Sequence, residues 1–232
     1  MGTLEYISDL IRGVGIVGVA VRMLLAVICG GLIGLERESK RRSAGFRTHT
    51  LICIGASLTT LTSQYLVSAG LNTDPARLGA QVIAGMGFIG AGAIIVTSRR
   101  QVKGLTTAAG LWASAIIGLA IGTGYYEAAL IAVALVLFSE LVLSKLEYFI
   151  ISTARSMNLY IEFASSEVLD NIVEEMKRHE LTITDIEITK SRPSEGMHMS
   201  AILSLKFKKK IAHENIMATI SEITGVNTVE EL

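Results

Sequence analysis

The sequence predicts a polytopic α-helical membrane domain joined to a smaller α+β domain. Half of the 232 residues are hydrophobic, and the mean hydropathy is +0.52. The charges are divided unevenly: residues 1–150 carry 12 basic and 8 acidic side chains, whereas residues 151–232 carry 9 basic and 13 acidic ones. This split predicts a transmembrane domain at 1–150 and a polar domain at 151–232.

Five apolar segments approach the roughly 20 residues that a helix needs to cross a bilayer. The short breaks between them, which are charged or contain Gly or Asp-Pro, are typical of tight helical hairpins. Residues 1–18 are open to two interpretations, a short helix on the membrane surface or the beginning of a longer first span. The five predicted spans are 20–37, 48–68, 77–97, 104–122 and 128–148.

The basic residues of the loops predict the orientation. The first loop carries five Lys or Arg residues and the third carries three, whereas the second, LNTDPAR, has one Arg and the fourth, GTGYYE, has none. Because Lys and Arg in short loops favour the cytoplasmic side, loops one and three should lie inside the cell. Five spans then place the N-terminus outside and the C-terminal domain in the cytoplasm. The N-terminus MGTLEYISDL has no basic region, so a cleaved signal peptide is not expected.

The third predicted span is dominated by small residues. In QVIAGMGFIGAGAIIV, Gly85, Gly87, Gly90 and Gly92 are separated mostly by alanines, and the small residues cover more than one helix face. Since helices in lipid associate largely through close approach at small residues, we expect this helix to be surrounded by other helices. The alternative is that thin helices leave room for a polar path.

Polar side chains within or beside the spans are candidate functional residues, because charge inside a bilayer is costly. A plain structural interpretation is that Glu36 and Arg47 form an ion pair that fastens two helix ends. An ion path usually needs acidic side chains in series across the membrane, and only Glu140 is deep, which argues against a cation transporter. The candidates are Glu36, Arg37, Arg47, Thr48 and Thr107 near the predicted inner ends, Arg77 and Gln81 toward the outer ends, and Glu140 mid-span in segment five.

The sequence gives no support for an enzyme, a cofactor site or a metal site. It contains no Walker A motif and no GxSxG motif. Cys29 and Cys53 both lie within spans, where we expect them to pack as small residues. The four histidines, none at metal-ligand spacing from another, are His49, His179, His198 and His213.

Residues 151–232 alternate between strand and helix patterns. NLYIEFA, LTITDIEIT, MHMSAILSLKF and VNTVEEL are typical of strands, while VLDNIVEEM and the segment around residues 216–223 have apolar residues at helical spacing. The order βαββαβ predicts a ferredoxin-like domain. The basic run KFKKK is expected to be a solvated strand end, with contact to anionic headgroups as the alternative.

Three consecutive blocks resemble the MgtC/SapB family: LIGLERESKRRSAGFRTHTLICIGASL, RLGAQVIAGMGFIGAGAII and VKGLTTAAGLWASAIIGLAIGTG. The resemblance covers most of residues 20–125 and implies a bacterial inner-membrane protein of four or five spans, with an ACT-like C-terminal domain. It also implies a role in adaptation to low magnesium and, in pathogens, in intracellular survival and virulence. The family's motif positions fall here on Glu36, Arg37, Gly45, Arg47, Thr48, Arg77, Gln81, Gly85, Gly87, Gly90, Gly92, Gly104 and Thr107.

Two functions from different classes remain at this point. Resemblance to the MgtC-like branch implies a regulator that modulates other membrane machinery, notably ATP synthase. The alternative is a channel or transporter for magnesium or another ion. The expected partners are the lipid bilayer and other membrane proteins, with a second copy of the chain left open and no nucleic acid expected.

Overall fold

The computed structural model describes residues 13–97, 101–152, 154–179, 181–190, 199–207 and 213–232. The predictions for residues 1–12, for Arg99 and Arg100, for the residues 197–198 and for the lysines at 208–210 lie outside this described part. The chain divides into two compact units, Met1–Leu143 and Ser144–Leu232.

The described part of the first unit is mostly helical, as predicted. Four helical segments are long and apolar enough to cross a membrane: Ile16–Ser39, Phe46–Ser68, Leu105–Thr123 and Tyr126–Ile151. The last of these passes through a π-helical turn at Ser139–Leu143 and continues into the second unit. The helices are α1 (Ile16–Ser39), α2 (Phe46–Ser68), α3 (Arg77–Ala93), α4 (Leu105–Thr123), α5 (Tyr126–Phe138) and α6 (Ser144–Ser152).

Helix α3 is shorter than the predicted third span. It has 17 residues and ends at Ala93, because Ile94 is extended and the strand Ile95–Val96 (β1) pairs antiparallel with Val102–Lys103 (β2). Gly104 follows this hairpin with φ +97°, and a Cβ at that position would collide with the carbonyl oxygen of Ala93. Glycine is therefore the residue that allows α4 to begin there.

The core of the first unit lies where α1 and α4 pack against α2. A Cβ at Gly34 would lie 2.6 Å from Phe46 Cα, and one at Gly30 would lie 2.8 Å from the His49 carbonyl oxygen, so α1 and α2 approach backbone to backbone. Such close approach at small residues is the usual basis of helix association in lipid. The buried apolar residues of this core are Ala26, Cys29, Ile33, Cys53, Ile117, Ile121, Ala129 and Val133.

The expectation that the third predicted span is surrounded by other helices is wrong for the described chain. Only Met86 and Gly90 of α3 are buried, and a Cβ added at Gly85, Gly87 or Gly92 would have no neighbour within 4 Å. The close approaches occur on α4, where a Cβ would collide with carbonyl oxygens of α2. The glycines concerned are Gly118, facing Cys53, and Gly122, facing Ser57.

The described part of the second unit begins with α6 and continues as a four-stranded antiparallel sheet with two further helices, in the predicted order βαββαβ. Strand β3 is central, pairing with β5 from Ser156 opposite Lys206 to Phe163 opposite Met199, and the sheet order is β4-β5-β3-β6. Every second residue of β3 is buried, which is the alternation expected for a strand with one covered face. The elements are β3 (Ser156–Phe163), α7 (Ser166–Arg178), β4 (Thr182–Lys190), β5 (Met199–Lys206), α8 (His213–Ser221) and β6 (Val226–Glu231).

Candidate functional site

A largely buried cluster of charged and polar side chains joins three elements at one end of the helical unit. Arg37, in the last turn of α1, is only 2% exposed. Its Nη1 donates a hydrogen bond of 2.7 Å to Glu140 Oε2, and its Nη2 donates one of 2.9 Å to Thr107 Oγ1. A single guanidinium thus ties α1 to the first turn of α4 and to the π-helical turn after α5. We call Glu36, Arg37, Lys40, Thr107 and Glu140 the Arg37 cluster.

The π-helical turn is held from α1 by a second contact. Lys40, which follows α1, donates from Nζ to the main-chain carbonyl oxygen of Glu140 over 2.6 Å. π-Helical turns are rare, occur mostly inside longer helices and are frequent at functional sites. Glu140 is therefore bound through its carboxylate and through its main chain by two cations of the same helix end.

The expected ion pair between Glu36 and Arg47 is wrong. Glu36 faces the bundle and is 9% exposed, and the nearby cation is Lys40, whose Nζ lies 2.8 Å from Glu36 Oε1. Arg47 is exposed, as is Thr48 beside it. The reason is the rotation of α2 about its axis. His49 of the first turn points into the bundle and is 0% exposed, so residues 46–48 of the same turn point outward.

Glu140, expected mid-span in segment five, lies level with the end of α1 in the bundle. Helix α5 begins beside Arg22, whose Nε donates to the Tyr126 hydroxyl. Fourteen residues later, about 21 Å along the helix, Glu140 has reached the end of α1. Glu140 therefore lies at the Arg37 end of the bundle, and its side chain is 14% exposed.

Two further predicted residues, Arg77 and Gln81, are not part of the cluster. Both are exposed on the first two turns of α3. The beginning of α3 lies near the end of α2, because Ser63 Oγ donates to the Pro75 carbonyl oxygen over 2.6 Å. Arg77 and Gln81 are thus at the end of the bundle opposite to Arg37.

The structure reveals a second buried guanidinium that was not among the predicted site residues. Arg22 is 0% exposed, and its Nη1 donates to Gln64 Oε1 over 2.6 Å and to the Gly122 carbonyl oxygen over 2.9 Å. It therefore connects α1, α2 and α4 at what we call the Arg22 end. An arginine inside the apolar run VGVAVRMLLAV is itself a signal of a buried polar contact.

A buried histidine of α2 was also missed. His49 Nδ1 is 2.8 Å from Ser114 Oγ of α4, and both side chains are fully buried. The signal is present in α2, where polar or small residues recur at helical spacing along one face. These residues are His49, Cys53, Ser57, Thr60 and Ser63, all buried.

The contacts of the Arg37 cluster are those of a structural ion-pair network that links helices. Its cations and carboxylates contact one another, so each buried charge has a partner of opposite sign. Within the described residues, no three His, Cys, Asp or Glu side chains are placed to hold a metal ion. The cluster brings together Glu36, Arg37, Thr107 and Glu140 of the predicted set and leaves out Arg47, Thr48, Arg77 and Gln81.

Comparison with known proteins identifies the family. An "Uncharacterized protein" of Haemophilus influenzae is 46% identical over 124 residues, 51% of this chain and 52% of its own. The Escherichia coli K12 protein called "Putative magnesium transporter YhiD" is 34% identical over 214 residues, 90% of this chain and 96% of its own. "Protein MgtC" of Salmonella typhimurium is 39% identical over 123 residues, 53% of this chain and 51% of its own.

The chain thus aligns with about half the length of the Haemophilus and Salmonella proteins and with nearly all of the Escherichia coli protein. No solved structure matches it significantly. The model of the MgtC family matches residues 23–149, a range that contains the buried Arg37 and begins one residue after Arg22. The chain belongs to the MgtC family.

Proposed function

We propose that this protein supports bacteria in low magnesium by acting on other machinery of the inner membrane, ATP synthase among it, and does not itself carry Mg²⁺. In a pathogen, the same activity would serve survival inside host cells. Membership of the MgtC family supports the link to magnesium. The C-terminal unit enters this proposal as an ACT-like regulatory domain, supported by its βαββαβ order.

The observation that favours a regulator over a transporter is the pair of buried arginines. Arg22 and Arg37 lie in α1, 15 residues or about 22 Å apart, and both guanidiniums are buried against α2 or α4. A cation passing along the interface of α1, α2 and α4 would meet a guanidinium at each end. Mg²⁺ prefers oxygen ligands, carboxylates above all, and an arginine in a conducting path is an electrostatic barrier to cations.

Transport remains the second candidate function, and a specific observation favours it. YhiD, whose printed name is that of a magnesium transporter, aligns with 90% of this chain. Flux of Mg²⁺ into vesicles that contain the purified protein separates the two candidates. A regulator should leave the flux at the level of empty vesicles, whereas a transporter should raise it.

The proposal includes a topology of five spans, with the N-terminus outside and the C-terminal unit in the cytoplasm. Helix α3, of 17 residues, is at the lower limit of the length that spans a bilayer, and the basic first and third loops favour the inside. Reporter fusions after Ser98 and at Leu232 should therefore read cytoplasmic, and one after Leu71 should read outside. A fusion at Leu232 that reads outside would contradict five spans.

A further inference from the structure

The connection between α1 and α2 exposes three arginines that have no acidic partner. Arg41, Arg42 and Arg47 are all exposed, and within the described part of the chain none of them forms an ion pair with a carboxylate. We call these three residues the basic patch. Guanidinium groups without a counter-charge are available to bind an anion.

The acidic residues of the same connection are engaged elsewhere. Glu38 Oε2 accepts a hydrogen bond of 2.9 Å from the main-chain N–H of Phe46, at the beginning of α2. Glu36 is buried and pairs with Lys40. The carboxylates that could neutralise the basic patch are therefore occupied in fixing the helix ends, and the patch keeps its full positive charge.

The backbone presents the patch in a tight turn. Arg41 has φ +53°, a left-handed conformation that side chains other than Gly, Asn and Asp adopt rarely. The turn is held by hydrogen bonds from Arg41 N–H to the Glu38 carbonyl oxygen, 2.9 Å, and from Arg42 N–H to the Arg37 carbonyl oxygen, 3.0 Å. A left-handed residue with these hydrogen bonds is a common way for a helix to end, and it fixes the backbone of Arg41 and Arg42 at the end of α1.

Exposed apolar residues place the patch at the boundary of the hydrocarbon. Leu51 is 67% exposed and follows Arg47 by one helical turn, and Leu35 is 54% exposed and precedes Arg41 by six residues. These leucines lie on helices long and apolar enough to span a membrane, so they face acyl chains. The arginines then lie within about 6–9 Å of the hydrocarbon, at the depth of the headgroups.

We propose that the basic patch binds the phosphate groups of anionic phospholipids in the leaflet that it faces. Guanidinium groups bind phosphate oxygens in a bidentate manner, and basic residues next to a spanning helix attract anionic headgroups. This goes beyond setting the orientation of the chain, because it assigns a lipid class to three named residues. It is also independent of whether the protein regulates or transports.

The test uses the full-length protein in nanodiscs made of equal parts of phosphatidylglycerol and phosphatidylcholine, with retained lipid measured by native mass spectrometry. The parent should retain mainly phosphatidylglycerol at low salt. The triple variant Arg41→Gln, Arg42→Gln and Arg47→Gln should lose this enrichment, with about a fivefold loss for each arginine. Because these side chains are exposed, the triple variant should fold. If it does not, the three single Gln substitutions should each give a partial loss of the phosphatidylglycerol enrichment.

Two matched controls separate a site from general charge. The triple Lys variant at the same positions keeps the charge but cannot bind phosphate in a bidentate manner, so it should lose part of the enrichment, whereas unchanged enrichment would assign the effect to charge alone. Arg77→Gln removes an exposed arginine at the opposite end of the bundle and should change nothing. Equal enrichment in the parent and the triple Gln variant would overturn the proposal, as would displacement of phosphatidylglycerol by millimolar inorganic phosphate, which would assign the patch to free phosphate.

Discussion

Replacing Arg37 with Gln should destabilise the helical unit by about 3–5 kcal/mol, the usual cost of removing one partner of a buried ion pair. Glu140 would keep its charge without the guanidinium 2.7 Å away, and Thr107 Oγ1 would lose the hydrogen bond from that guanidinium. The measurement is thermal unfolding of the purified protein in detergent. Unfolding is monitored by the loss of the helical circular-dichroism signal and by size-exclusion chromatography.

Two comparisons isolate the pair from general effects of charge. Arg47→Gln removes an exposed arginine ten residues away and should unfold like the parent, since surface substitutions usually change stability little. The double variant Arg37→Leu with Glu140→Leu removes both charges and should recover much of the lost stability. Unfolding of Arg37→Gln at the parent temperature would show that the pair does not hold the helices together.

Gly118→Ala should destabilise the same unit by about 1–3 kcal/mol, the typical cost of overpacking a well-packed interface. The added methyl group would collide with the Cys53 carbonyl oxygen and lie 2.8 Å from the Ala56 Cβ. Helices α2 and α4 would have to separate, with loss of contacts along their interface. The measurement is the amount of folded protein recovered from membranes, together with its unfolding temperature.

Gly87→Ala is the matched control, because a Cβ at Gly87 meets nothing within 4 Å. Alanine favours a helix over glycine by about 1 kcal/mol, so this variant should be as stable as the parent or slightly more stable. A loss of stability equal to that of Gly118→Ala would mean that α3 packs closely against another helix, which the described chain does not show.

The fold could be predicted from the sequence to the extent that local patterns decide it. The apolar segments and the charge split marked the helical unit, and alternation in β3 and β5 marked the faces of the sheet, as with Leu159 and Leu203, which are both fully buried. These features follow from the periods of helix and strand, which are readable in a short window.

The contacts between helices could not be predicted in the same way. Arg37 and Glu140 are 103 residues apart, and which cation meets which carboxylate depends on the rotation of each helix within the bundle. Nearness to the same loop predicts a pair of Glu36 with Arg47, but Arg47 turns outward. Likewise, the glycines of α3 predict a helix of small diameter but do not predict which elements pack beside it.

Flux of Mg²⁺ into sealed vesicles tests most directly the claim that this protein acts on other machinery and does not carry the ion. The purified full-length protein, shown to be folded, is reconstituted around a magnesium-sensitive dye, with empty vesicles and vesicles containing a magnesium channel as references. The proposal predicts Mg²⁺ uptake equal to that of empty vesicles. The gene that encodes the same protein should nevertheless restore growth of a deletion strain in low magnesium. Saturable Mg²⁺ uptake above that of empty vesicles would contradict it.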